Sequence, residues 1–403
     1  MHGVGSLPPM SADGEGPIAG PLIPMIAARL GGNILIRAPF TFITAISRGL
    51  GIGVDTTAAI LGARELGGLA SPGLGHVADR GNERRTMVAS AGVAGLTCLL
   101  VALGPALPVV VLLLVGGGVA KFGLDTAQSA WIAHRVPFRR RSRVFGIVEC
   151  SWAVAFLAGI PVCAWLEERW GWEAIFVFCG VLLLGCAAAM QLVVPRDRPE
   201  VAGEQRRPRF NRDMGGMYAY VVLQPFSQMF VFAIYGDWFV EQLDMSTGVL
   251  AAATVFIGLG ELVGTGATAV VTDRLGKRRS AIAGMAVAAP LAGLLGIVGD
   301  TAWLGVVLVV VMALGTEFSY VSALPIIAEL DPDARAASIG LATAAMTVSR
   351  AVAAALAGTL YVRYGMAACG LVAAGGHVLG AVALHWVVEP GRGRPEAVEP
   401  LGR

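Results

Sequence analysis

Eight ionisable residues stand inside long apolar stretches of this sequence: Arg37, Arg64, Glu65, Lys121, Asp125, Glu261, Glu317 and Arg350. A charged side chain at mid-membrane costs about 2.5–3.5 kcal/mol on insertion scales, so eight facing lipid would cost about 20–28 kcal/mol. That exceeds the stability of a typical protein, about 5–15 kcal/mol. These residues must face each other or a watery cavity. A buried carboxylate can take up and release a proton as its surroundings change, and a guanidinium can hold an anionic group. Lys121 and Asp125 are four apart and share a helix face. Asp125 is therefore the first candidate for a proton site, with Lys121 as its modulator, the alternative being a permanent internal ion pair. Glu65, beside Arg64, is the second candidate. Glu261 and Glu317 have no cation within four residues on their own segments. They must find partners elsewhere, carry protons, or meet a cationic solute; Arg350 could pair with either. Arg37 could hold an anionic group, or pair with Asp125 or Glu65. Phe40, Gln128, Trp131, Gln224, Gln228 and Tyr320 could line such a site, or simply pack.

The elements that carry these residues are membrane helices. Hydrophobic residues make up 56% of the 403 and charged residues 14%, against about a quarter charged in an ordinary soluble domain; the mean hydropathy is +0.70. This excludes a soluble enzyme and a nucleic-acid binder. Apolar runs near spanning length predict an all-α membrane protein of twelve transmembrane segments: 24–47, 54–77, 86–104, 108–132, 143–166, 172–194, 216–240, 248–271, 280–298, 302–325, 337–361 and 366–388. Segments 3, 6, 9 and 12 carry no Asp, Glu, Lys or Arg in their interiors. One helix in three is thus fit to face lipid, in the same phase in both halves. The pattern predicts two pseudo-symmetric six-helix bundles, 23–194 and 216–388, joined by a polar cytoplasmic linker, 195–215. Residues 1–22 and 389–403 read as cytoplasmic tails.

Orientation follows from loop Lys and Arg. Arg80, Arg84, Arg85, Arg139, Arg140, Arg141, Arg143, Arg274, Lys277, Arg278 and Arg279 fall in one set of loops, while the alternate loops are nearly free of cations. The basic set is expected to be cytoplasmic, with both termini inside a bacterial inner membrane. Trp165, Trp170, Trp172, Trp238 and Trp303 fall at the opposite helix ends, as an aromatic belt would. The six cysteines lie in apolar segments and show no metal spacing. No Gly-x-x-x-x-Gly-Lys-Ser/Thr loop is present, so no nucleotide-hydrolysing site is expected. The reading requires no cofactor or metal, and the proton gradient is the expected energy source.

Two basic heptapeptides link the halves. Residues 79–85 read Asp79-Arg80-Gly81-Asn82-Glu83-Arg84-Arg85, and residues 273–279 read Asp273-Arg274-Leu275-Gly276-Lys277-Arg278-Arg279. They are 194 residues apart (273 − 79), as are Gly146 and Gly340 (340 − 146). Both heptapeptides resemble the Gly-x-x-x-Asp-Arg-x-Gly-Arg-Arg signature of the major facilitator superfamily, a large group of secondary transporters. The first has Gly75 at the leading position; Ala269 stands there in the second. The stretch from Glu149-Cys150-Ser151-Trp152 to Trp170-Gly171-Trp172 resembles bacterial efflux-permease-like members. Of the antiporter signature on segment 5, only Gly159 and Pro161 stand. The resemblance, over roughly 24–388, implies alternating access about a central site near segment 1. It also implies that Asp79, Arg80 and their counterparts act in gating; anchoring the loops to anionic lipid is the alternative. The expected function is proton-coupled export of a small organic solute by a monomer in the lipid bilayer. Importers or uniporters of the same fold, a lipid flippase and a non-transporting membrane sensor are the alternatives.

Overall fold

The computed structural model describes residues 19–136, 138–196, 211–296, 301–330 and 335–387. Every element among them is helical. Segment 1 comprises α1 (Ala19–Thr41) and α2 (Ile43–Leu50), and segment 2 comprises α3 (Val54–Glu65) and α4 (Ser71–Val77). Segments 3 and 4 are α5 (Glu83–Ala102) and α6 (Leu107–Arg135). Segment 5 comprises α7 (Phe138–Val154) and α8 (Ile160–Trp170), and segment 6 is α9 (Glu173–Val193). Segment 7 comprises α10 (Arg212–Phe232) and α11 (Tyr235–Asp237). Segments 8, 9 and 10 are α12 (Thr247–Leu275), α13 (Lys277–Leu294) and α14 (Ala302–Leu330). Segments 11 and 12 run through α15 (Arg335–His385), kinked at Gly365.

Among the described residues, eight helices are long and apolar enough to cross a membrane, nine if the bent pair α1–α2 counts as one span. The eight include the long stretch 338–385 as a single helix. At 1.5 Å per residue its 48 residues are about 72 Å long, more than twice a hydrocarbon core. Gly365 divides it with φ 73°, a left-handed conformation that glycine adopts without strain. Segment 1 bends by 75° just after Pro39, which cannot donate to the helical ladder.

Two boundaries and two tryptophans differ from the sequence reading. The first helix begins at Ala19, inside the expected tail, and α10 begins at Arg212, inside the expected linker. Asn211 caps α10 by accepting from the Met214 amide at 2.8 Å. The rest of the tails and residues 197–210 lie outside the described residues. Trp172 and Trp238 are buried rather than belted, while Trp165, Trp170 and Trp303 are exposed. Helix ends alone do not tell a lipid-facing ring from one turned into the bundle.

Segments 3, 6, 9 and 12 lie at the periphery: Leu96, Val181, Val287 and Leu379 on them are exposed. Segment 3 packs on 4 and 6, and segment 9 packs on 10 and 12, the same arrangement in each half. Between halves, segment 2 packs along segment 11, and segment 5 meets segment 8.

Within the first half, segments 2 and 4 approach closely enough to require glycine. A Cβ on Gly67 would lie 2.3 Å from the Val119 nitrogen, and one on Gly118 would lie 2.2 Å from the Arg64 oxygen. Gly67→Ala or Gly118→Ala should each lower stability by about 1–3 kcal/mol through forced backbone separation. Gly116→Ala, whose nearest neighbour would be a Thr97 methyl at 4.0 Å, should stay near wild type. Thermal unfolding of the purified proteins in one detergent checks the contrast.

Candidate translocation site

Pro39 has no amide hydrogen, so the Leu35 carbonyl one turn earlier has no helical donor. Arg64, fully buried, fills that gap by donating to the Leu35 and Ile36 carbonyls at 2.7 and 2.8 Å. Its guanidinium lies 5.5 Å from the Phe40 ring and 3.7 Å from the Glu65 carboxylate. Arg64 thus binds segment 2 to segment 1.

Two ion pairs join the halves at mid-depth. Arg350 Nε donates to Glu65 at 3.0 Å, tying segment 11 to segment 2. Arg37 donates to both oxygens of Glu261 at 3.1 and 3.3 Å, tying segment 1 to segment 8. The Trp152 indole also donates to Glu261, at 3.2 Å. The Arg37 guanidinium sits over Trp152 at 4.3 Å and Phe156 at 4.7 Å, with Phe232 at 5.3 Å. These partners correct the sequence expectations. Arg37 takes Glu261 rather than Asp125 or Glu65, and Arg350 takes Glu65 rather than Glu261 or Glu317. The sequence places a charge on its helix but does not say which helix lies opposite.

Asp125 pairs with Lys121, and Arg29 stands 3.5 Å from Asp125 and 2.5 Å from Glu149. Arg29 was missed by the sequence reading because it lies near the end of segment 1, where a cation costs little. Glu317 differs from the others. It accepts from the Thr265 hydroxyl at 3.4 Å, and it has no ion pair among the described residues. The expected lining residues mostly belong to the walls. Gln128 donates to the Met25 carbonyl at 2.8 Å, Gln224 and Gln228 donate to Thr316, and Trp131 is buried. Tyr320 is half-buried. No group of residues suited to hold a metal occurs among the described residues.

Segments 1 and 7 close one end of the molecule. Thr41 and Tyr235 share a hydrogen bond of 2.6 Å, Thr44 donates to Asp237 at 2.8 Å, and Arg48 pairs with Glu241. A Cβ on Gly236 would lie 2.2 Å from the Thr41 oxygen. Segment 2 touches segment 11 from Gly358, against Asp55 and Ala58, as far as Gly68, against Thr347. Beyond that, toward the heptapeptides, a Cβ on Gly73 or Gly340 would meet nothing within 4 Å.

The heptapeptide residues described here bond within their own halves. Arg84 donates to the Gln191 carbonyl at the end of segment 6. Arg278 donates to the His385 and Val387 carbonyls, at 3.2 and 2.6 Å, at the end of segment 12. Lys277 pairs with Glu329. Gly75 lies against Thr126, and Gly81 and Gly276 take φ of 82° and 87° where segments 2 and 8 turn into 3 and 9. Arg80, Arg85, Arg274 and Arg279 are exposed. The side chains of Asp79, Asp273 and residues 138–143 lie outside the described set.

The sequence matches the Major Facilitator Superfamily over residues 18–235 and again over 217–402. Its fold is similar to the crystal structure of a bacterial homologue of the human lysosomal transporter Spinster, inward-facing and unoccupied. That pair shows 13% identity and a TM-score of 0.71, covering 92% of this chain and 94% of the other. The inward-facing, occupied form of that homologue gives 12% identity and a TM-score of 0.73, covering 93% and 95%. Among curated proteins none matches this sequence.

Removing one partner of a buried pair leaves an uncompensated charge, at about 3–5 kcal/mol, whereas an apolar replacement of both is near neutral. Arg37→Met alone should therefore destabilise strongly, and Arg37→Met with Glu261→Met should recover most of the loss. Thermal unfolding of the two variants checks it, and equal destabilisation would contradict the pairing.

Proposed function

We propose a transport cycle from one premise: the chain belongs to the major facilitator superfamily. It is a multi-pass membrane protein, and it works as a secondary transporter by alternating access. In this reading twelve spans form two six-helix halves, both termini are cytoplasmic, and a monomer exports a small organic solute across a bacterial inner membrane. The observation that carries the cycle is the unequal contact between halves. They are joined by Thr41–Tyr235, Thr44–Asp237 and Arg48–Glu241 at one end, whereas toward the other end Gly73 on segment 2 and Gly340 on segment 11 face open space.

Proton coupling rests on Glu317 in this proposal, not on Asp125. Asp125 has Lys121 and Arg29 beside it, so it already has two cationic partners. Glu317 has a hydroxyl instead of a cation beside it, so among the described residues it is the mid-depth carboxylate whose charge no ion pair holds. Solute binding near Glu317 would then release its proton, and the return of the solute-free carrier with Glu317 reprotonated from the other side would complete the exchange. Export over import is supported by the resemblance of segments 5 and 6 to efflux-permease-like sequences. A uniporter is the second reading, favoured by the pairing of the other interior carboxylates.

Proteoliposomes with a trapped pH dye, screened with a panel of metabolites and cationic, anionic and zwitterionic drugs, test this. One solute class should change the internal pH. Glu317→Gln should abolish that change while solute binding persists. Asp125→Asn should keep it within about fivefold, as expected for a partly exposed pair worth about 1 kcal/mol. Solute movement without pH change would establish the uniporter.

A further inference from the structure

The repeat offset identifies where the pseudo-two-fold axis runs. Positions equivalent in two repeats meet each other only on the axis that relates them. At the closed end the bonded pairs are Thr41 with Tyr235, Thr44 with Asp237 and Arg48 with Glu241. Their separations are 194, 193 and 193 residues, the offset of the heptapeptides to within one residue. Segments 1 and 7 thus meet on the axis. The charged pair among them has opposite signs at positions within one residue of equivalence. Like charges there would repel whenever that end closed.

The same signature stands at the other end. Glu83 bonds His134 at 2.7 Å and lies 3.9 Å from Arg135, tying the start of segment 3 to the end of segment 4. Lys277 pairs with Glu329, tying the start of segment 9 to the end of segment 10. Glu83 and Lys277 are 194 residues apart (277 − 83), and so are Arg135 and Glu329 (329 − 135). One tie is therefore built twice, with its polarity reversed. As internal ties, both halves would be served equally by either polarity. Reversal matters only between halves: it leaves segment 4 ending in a cation and segment 10 in a carboxylate. Segments 4 and 10 carry Lys121, Asp125 and Glu317, so both face the interior. The Arg135 and Glu329 side chains are 19% and 39% exposed, so both are reachable.

We propose that Arg135 and Glu329 form the latch of the heptapeptide end when that end closes, each swinging from its own-half partner toward the other. This rests on the alternating-access reading above. It places the exchange at the ends of segments 4 and 10, outside the heptapeptides, with Glu83 and Lys277 holding the two side chains while the end is open.

Inverting one tie or both separates a latch from an internal brace. Spin labels on Leu192→Cys and Trp386→Cys, exposed equivalent positions ending segments 6 and 12, report the width of that end. Exposed Cys150 is replaced by Ser, and the other cysteines are buried. The unaltered ties should give a long and a short distance. Glu83→Lys with Arg135→Glu keeps a tie in each half but opposes two carboxylates across the axis. The short-distance population should fall by about tenfold, equivalent to about 1.4 kcal/mol. Adding Lys277→Glu and Glu329→Lys should restore it. An unchanged short population in the half-inverted protein, or no restoration in the fully inverted one, overturns the latch. One long distance in every variant overturns alternating access along with it. An independent check uses Arg135→Cys with Glu329→Cys in the same Cys150→Ser background and a bifunctional thiol reagent matched to the span of an Arg–Glu pair, which exceeds disulfide reach: a cross-link in membranes supports the latch, and its absence overturns it.

Discussion

A charge inside a bilayer must have a partner, and in this protein two of those partners lie on the opposite half. Arg37–Glu261 and Glu65–Arg350 hold the interface at mid-depth, where each ion alone would be costly. Such pairs add little net stability compared with apolar packing. They specify which helices lie against each other. Arg64, which binds segment 2 to segment 1, and the contact of segments 2 and 11 brace them.

The duplication explains the form of these pairs. Phe156 and Arg350 are equivalent positions, 194 apart (350 − 156). Arg350 supplies the cation where segment 11 faces segment 2. Where segment 5 faces segment 8, the equivalent residue is Phe156, and Arg37 reaches in from segment 1 to lie over its ring. The carboxylate of Glu261 therefore keeps a cation, but from another helix. Elsewhere the repeat is retained more literally: Arg84 and Arg278, 194 apart (278 − 84), each donate to carbonyls ending the last helix of their half.

Much of this was legible in the sequence. The inward direction of the eight charges followed from transfer energies, the peripheral helices from their lack of charge, and the duplication from the two heptapeptides. The identity of the partners was not legible, because pairing depends on which helices are neighbours across the bundle. Trp152 as a donor to Glu261, Arg29 beside Asp125, and the burial of Trp172 and Trp238 all depend on that same tertiary arrangement. The sequence did place Thr41, Thr44 and Arg48 in segment 1, and the repeat offset would have matched Thr41 to Tyr235 and brought the other two within one residue of Asp237 and Glu241. Only the contact itself marked the offset as meaningful there. Glu317 was visible as a carboxylate without a local cation; its isolation among the described residues required the fold.

The central claim is that segments 1 and 7 separate at their joined end during each cycle. Its most direct test is a reversible cross-link between Thr41→Cys and Tyr235→Cys in proteoliposomes, read by solute-driven pH change. Oxidation should stop the pH change, and reduction should restore it. Full activity in the cross-linked protein would mean that this end never opens, and the account would fail.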